Sequence, residues 1–405
     1  MRIRAFAASV LLLAPMAWGQ SITGLWDATI EVNGAKIPFR MEFAGTGKNV
    51  KGWFFNGDDR EISSSGDYES GSLVLNFDSY ASVLRLNLAN GTLDGSYVTR
   101  TRTMPIHAVP ATPHVPSAEK APDISGLWIM EGVNSTKGEK AWNLVLRQKD
   151  DVVSGAILRI DGDTGTLEGS YKNGAFLLSH FSGARPSQIL ITPQADGSLV
   201  VDLNGEHHAG GGITALRPEV VKAKGLPLPD DPATHTGVKD PTRPFTFSFP
   251  DLSGKVVSNT DARFQGKVVL IDISGSWCPN CHDEAPFLET LYEKYHGQGL
   301  EIVTLSFEEE DQLKNPVRLR AFIKEYGIKY TVLLGGETSS AQEKLTQAVH
   351  WDAWPTTFFV GRDGLVKAVH SGFPGPGSGE LYKRDTEEAV STVERLLAAN
   401  ETSQK

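Results

Sequence analysis

The sequence predicts a multidomain chain: an N-terminal all-β tandem repeat of small barrels or sandwiches, followed by an α/β domain. Three observations predict it. Residues 21–217 alternate apolar and polar positions between turn signals such as Asn33-Gly34, Asn90-Gly91 and Asp196-Gly197, the pattern of half-buried antiparallel strands. That half also repeats itself. Ile22, Gly24, Leu25 and Trp26 return as Ile124, Gly126, Leu127 and Trp128 at an offset of 102, and Gly66, Tyr68 and Gly71 as Gly169, Tyr171 and Gly174 at 103. Gly91 and Leu93 return as Gly197 and Leu199 at 106, so the half reads as a duplication. From Phe245 onward the pattern changes to continuous apolar runs alternating with helical spacing, the signature of an α/β sheet.

The elements follow in chain order. Arg2 and Arg4, an apolar stretch over residues 5–13 and the small residues Ala17 and Gly19 form an expected signal peptide over residues 1–19. The chain is then exported, periplasmic or otherwise extracytoplasmic. It is soluble once cut and membrane-anchored if left uncut. The first β module is placed at 21–109 and the second at 122–217, joined by the proline-rich stretch 110–116. Each opens on Gly-Leu-Trp, and that Gly-x-Trp is similar to the opening of lipocalin-type barrels. Trp26 and Trp128 are read as plugs closing a small barrel. Glu206, His207 and His208 in a glycine-rich loop are read as solvated. Residues 218–243 carry prolines and charges without an apolar period and are expected to be a linker.

The last domain is placed at 244–399. A strand buried on both faces is expected at 267–273, a helix from Pro279 to His296 and a second strand at 300–306. A helix at 318–326, a hairpin around Arg362-Asp363-Gly364 and a closing helix from about Glu380 complete it. The glycine-rich residues 375–379 lack the Lys-Ser/Thr ending of a phosphate loop and read as a connector.

Composition removes several function classes. A net charge of −10 argues against nucleic acid as a partner. Two cysteines, Cys278 and Cys281, cannot staple a scaffold or build a multi-cysteine metal centre. No metal site and no cofactor beyond a Cys278–Cys281 disulfide is expected, because a zinc site would need two further ligands, from His282 and a distant histidine. Three residues apart in an exported chain, the pair closes a loop too small to hold a fold and is present for reactivity. Cys278 is expected just before a helix, where unpaired N–H groups favour a thiolate. Pro279 occupies the first turn, where a missing N–H costs nothing. Cys278 is therefore read as the exposed nucleophile and Cys281, one turn on, as the buried resolving thiol. Asp272, six residues earlier on the apolar strand, is desolvated and suited to take a proton from Cys281. Glu284 lies three residues past Cys281 and is read either as tuning the thiols or as solvated.

The run Asp272 to Pro286 around Trp277-Cys278-Pro279-Asn280-Cys281, with Trp354-Pro355-Thr356-Thr357 downstream, resembles a thioredoxin fold, and most of all the TlpA/ResA-type thiol-disulfide oxidoreductases. The resemblance covers roughly 244–399 and implies a cis proline at Pro355, against which an extended client pairs. It places Trp277, Pro279, Trp354, Pro355 and Thr356 on the client-binding face. Trp354 replaces the smaller residue usual before that proline, and Ile273 and Ser274 stand where aromatics are common. Trp277, Trp351 and Trp354 are read either as an aromatic wall around the site or as core. His282 follows the motif, and its protonation is read as tuning Cys278 near neutral pH or as incidental to a surface position.

The resemblance implies a reductase of client proteins with cysteine pairs, such as apocytochromes awaiting haem, recharged by a membrane thiol donor. The alternatives are a disulfide oxidase or isomerase with the same site, or a binding protein whose β modules take a ligand, glycan or partner. A peroxidase ranks last, since the Pro-x-x-x-Thr-x-x-Cys setting of its nucleophile is absent. The modules themselves are expected to dock clients from a flexible tether.

Overall fold

The computed structural model describes residues 21–57, 59–203 and 212–399. The expected signal peptide and the Glu206-His207-His208 loop lie outside the described residues.

The duplication is realised as two separate antiparallel meanders. In the first, Gly24–Val32 pairs with both Ala35–Ala44 and Thr103–Pro110, so first and last strands meet. The sheet's edge strands, Asp59–Ile62 and Ser65–Glu69, are consecutive in sequence. Ser63 N donates to Gly52 O and Ser64 N to Asn76 O, so the short link between those strands spans the remaining gap. The second meander closes outright into eight strands, because Gly126–Glu131 pairs with Ile213–Leu216 and Val152–Arg159 pairs with both Ala141–Lys149 and Leu167–Lys172. Full closure removes exposed strand edges.

The repeated residues have repeated jobs. Trp26 and Trp128 are buried, and each indole N–H donates at 2.8 Å to the carbonyl four residues back, Ile22 or Ile124. Each belongs to the core of its own barrel. Gly169 lies on a sheet face where a Cβ would sit 1.8 Å from Leu177 O, so no other residue fits there.

The barrels are not independent. Phe181, on the loop after Ala175–His180 of the second barrel, is fully buried in the core of the first, within 4.8–5.2 Å of the rings of Phe39, Phe54 and Tyr97. Asn56 clasps its backbone in both directions, donating to Phe181 O at 3.0 Å and accepting from Phe181 N at 2.8 Å.

The expected linker is structured. Pro218–Lys224 is a helix closed by Gly225 in the left-handed region, and Val221 is buried against Ile129, Ala141 and Leu216 of the second barrel. Gly237–Val238 pairs with Ala348–Val349 of the C-terminal domain. Apolar Val220, Val221 and Leu226 supply a short face that the density of prolines and charges concealed.

The C-terminal sheet has the order Thr331–Glu337, Leu300–Glu308, Val268–Ser274, Thr356–Val360, Val366–Ser371. Its first three strands are parallel and the last two antiparallel. Sequence reading missed Thr331–Glu337, whose two glycines interrupt its apolar run. Pro279–Tyr295 and Glu380–Ala398 cover one face through Leu288, Leu291, Val393 and Leu396. The other face is covered by Phe245, Phe247, Phe264, Ala341 and Leu345, supplied by the chain entering the domain and by a one-turn helix.

Candidate redox site at the junction of three domains

The continuous apolar strand Val268–Ser274 is buried along its whole length and delivers the chain to the sheet's C-terminal edge. There Cys278 becomes the N-cap of Pro279–Tyr295, with Pro279 at the first helical position. Its sulfur accepts from Cys281 N at 3.3 Å, an N–H that also donates to Cys278 O at 3.1 Å, so a first-turn helix donor is aimed at the atom that would carry thiolate charge. Cys278 and Cys281 form a disulfide with Cα atoms 5.2 Å apart. The expectation of an exposed Cys278 is corrected: it is 3 % exposed and Cys281 1 %.

The same strand and helix that carry the cysteines also bring together a carboxyl pair. Asp272 and Glu284 are both buried and hydrogen-bonded to each other. Thr304 Oγ1 donates to Asp272 Oδ2 at 2.7 Å and Thr357 Oγ1 to Glu284 Oε1 at 2.8 Å. The remaining oxygens, Asp272 Oδ1 and Glu284 Oε2, have no other donor, and two carboxyls can bond each other only when one holds a proton. Burial raises both pKa values. Asp272 is pushed up to about 7, and Glu284 well above the carboxylate range by burial and by the Asp272 charge. Burial thus favours a pair that keeps a proton between its two carboxyls. Glu284 is not a solvated helix residue.

Trp354–Pro355 is cis, as the resemblance implies. Trp277 and Trp354 are half-buried with ring centroids 5.3 Å apart, and Trp277 Nε1 donates to Phe307 O at 2.9 Å. Trp351 is buried in the core behind them, 5.1 Å from Trp354. Pro279 is half-buried. Thr356 does not face a client: it is fully buried and its hydroxyl donates to Ala353 O at 2.9 Å, so it braces the cis-proline loop from inside.

His282 is neither a surface residue nor a neutral-pH switch. It is buried between Tyr80 of the first barrel, stacked at 4.2 Å and 7°, and Phe322. Nε2 lies 3.0 Å from Ser276 O, which only accepts, so Nε2 carries the proton and Nδ1 accepts from Tyr326 OH at 2.8 Å. Burial drives its pKa down to about 3, with Arg318 and Arg185 adding to the effect.

Sequence reading missed the network under the Ser276–Trp277 turn. Glu308 ends the apolar strand Leu300–Glu308 with no exposed surface. It accepts from Ser276 N and Oγ at 2.8 and 2.7 Å and pairs with buried Arg318 at 2.9 Å. Arg318 also donates to Ser276 Oγ and Glu309, and Arg100 of the first barrel reaches Glu309. The available signal was a carboxylate closing an apolar strand, the same signal that singled out Asp272.

The AhpC/TSA family matches residues 241–369. Among curated proteins, the thiol-disulfide oxidoreductase ResA of Bacillus thuringiensis subsp. konkukian is 33 % identical over 122 residues, covering 30 % of this chain and 62 % of that protein. ResA of Bacillus subtilis is 29 % identical over 126 residues, covering 31 % and 64 %. The chain thus spans less than two thirds of these relatives. A solved structure described as a putative thiol:disulfide interchange protein DsbE from Chlorobium tepidum aligns with 23 % identity and a TM-score of 0.30, over 38 % of this chain and 94 % of that one. Among the described residues no helix is long and apolar enough to cross a membrane.

Proposed function

We propose that this chain, whose C-terminal domain is thioredoxin-like and of the TlpA/ResA type, is an exported thiol-disulfide oxidoreductase that reduces disulfides in client proteins. The observation that supports it most is a cysteine pair bridged at a helix N-terminus, with a buried Asp272–Glu284 carboxyl pair on the strand and helix that carry it. In the reduced protein Cys278 thiolate attacks one sulfur of a client disulfide, forming a mixed disulfide and releasing one client thiolate. Cys281 then loses its proton to Asp272, and its sulfur attacks Cys278 Sγ. The Cys278–Cys281 bond forms as the second client thiolate leaves, so two electrons pass to the client. An external dithiol, here a membrane thiol donor, restores the reduced pair. The dithiol carries the electrons itself, and the cis-proline loop with Trp277 and Trp354 presents an extended client to it. The leader over 1–19 supports an extracytoplasmic location, and apocytochromes are candidate clients by the same resemblance.

The test is the reduction potential of the Cys278–Cys281 couple, set by equilibration in glutathione or dithiol buffers. A value near or below about −240 mV supports a donor-dependent reductase. A value of about −120 to −180 mV makes the protein an oxidase or isomerase and overturns the direction.

A further inference from the structure

We propose that the hairpin tip at residues 159–163 of the second barrel is a specificity element of this site, admitting extended client segments to Cys278 and excluding folded ones. The inference rests on the oxidoreductase reading above and concerns which disulfides reach the sulfur.

The hairpin is made by Gly162–Asp163 folding back on Val152–Arg159. Its tip leaves the barrel and lies on the redox domain at three points. Asp161 O accepts from Asn280 Nδ2 at 2.5 Å, and Asn280 is one of the two residues between the cysteines. Gly162 forms a parallel bridge with Phe373. Asp163 Oδ2 accepts from Gly375 N at 2.9 Å and from Ser378 Oγ at 2.5 Å, while its Oδ1 accepts from Gly165 N at 2.8 Å within its own barrel. The approach is too close for side chains. A Cβ on Gly162 would stand 2.2 Å from Phe373 O, and one on Gly372 would stand 2.3 Å from Ile160 O. This explains what the glycine-rich connector 375–379 is for: it is the receptor of the hairpin, with Gly377 against Thr166.

The first barrel covers the other flank. Tyr80 stacks on His282, so the residues on either side of Cys281 are each capped by a different barrel. Phe181 and the Asn56 clasp join the barrels, so the two caps act as one body. What remains half-exposed around Cys278 is Trp277, Pro279 and Trp354. An approach left to these half-buried residues fits an unfolded chain or small disulfide, whereas a disulfide on a globular surface would strike the hairpin.

The experiment uses the full chain in the reduced state, as wild type, Ser378→Ala and Gly162→Ala. Cys278 is alkylated with iodoacetamide and with a maleimide bearing a protein-sized polyethylene glycol chain. Ser378→Ala removes a donor to Asp163 and leaves the dithiol helix untouched. Loss of one hydrogen bond to a carboxylate should raise hairpin opening, and the rate with the bulky reagent relative to the small one, by about tenfold. Gly162→Ala should move the ratio the same way by pushing the tip off Phe373. An unchanged ratio in Ser378→Ala, or equal acceleration of both reagents, overturns the proposal. If Gly162→Ala fails to fold, the Ser378→Ala ratio decides. Reduction of glutathione disulfide by the wild type is measured beside it. Its failure would sink the oxidoreductase reading, while the alkylation ratio still reports on the hairpin.

Discussion

Replacing Asp272 by Asn tests the carboxyl pair through stability as well as rate. Asp272 moves from an ordinary value of 3.8 to about 7 on folding. Its folded form therefore binds more protons than the unfolded chain across that window. Stability is full below about pH 4 and falls as pH rises towards 7, because the unfolded chain ionises freely and the buried carboxyl does not. About three pH units at about 1.4 kcal/mol each sets a ceiling of about 4 kcal/mol, and sharing a proton with Glu284 brings the expectation to about 2–4 kcal/mol. Asn keeps an oxygen for Thr304 Oγ1 and carries no charge, so the variant should gain on the wild type by that amount between pH 5 and pH 8. The assay is urea unfolding of the oxidised protein at fixed pH, read by hydrogen exchange of the Val268–Ser274 amides so that barrel unfolding is kept apart. Subtracting the variant removes the contribution of Asp283, which burial and Asp163 raise to about 8 with the same sign. The variant should also slow resolution of the mixed disulfide at neutral pH. Parallel slopes for wild type and variant would refute both the buried pair and its role as proton acceptor.

Other consequences are as direct. Phe181→Ala removes a fully buried ring from the first barrel and should cost about 3–5 kcal/mol of that barrel's stability, measured by denaturant unfolding; a loss confined to the second barrel would contradict the inserted plug. Arg318→Met leaves Glu308 as an unpaired buried charge and should destabilise the C-terminal domain by about 3–5 kcal/mol, a prediction lost if its unfolding midpoint in urea does not move. The His282 imidazole should show no titration by NMR between pH 5 and pH 8, its pKa lying near 3; a chemical-shift transition near pH 6.5 would show an exposed ring.

The duplication, the change from β repeats to an α/β domain and the strand-to-helix switch at the cysteines were all legible because each is written locally. Period-two alternation, a repeated Gly-Leu-Trp and a strand-to-helix switch at Cys278 need only neighbours to be recognised. Asp272 was legible for the same reason, being a carboxylate in an apolar run. Its partner Glu284 was ambiguous, since helical spacing alone does not say which face meets the sheet. Thr356 was misassigned because the resemblance carries it along with the cis proline, and its place in a strand covered on both faces turns it inward.

What tertiary structure decided is everything that depends on residues far apart being brought together. Asn280 and Asp161 are 119 residues apart in the chain, and Asn56 and Phe181 125. Burial of Asn280 and the depressed pKa of His282 follow from surroundings that include the covering barrels. Local sequence states which groups can react; a fold that brings three bodies to one helix N-terminus determines how far water, protons and clients can reach them, because desolvation and access are set by neighbours in space.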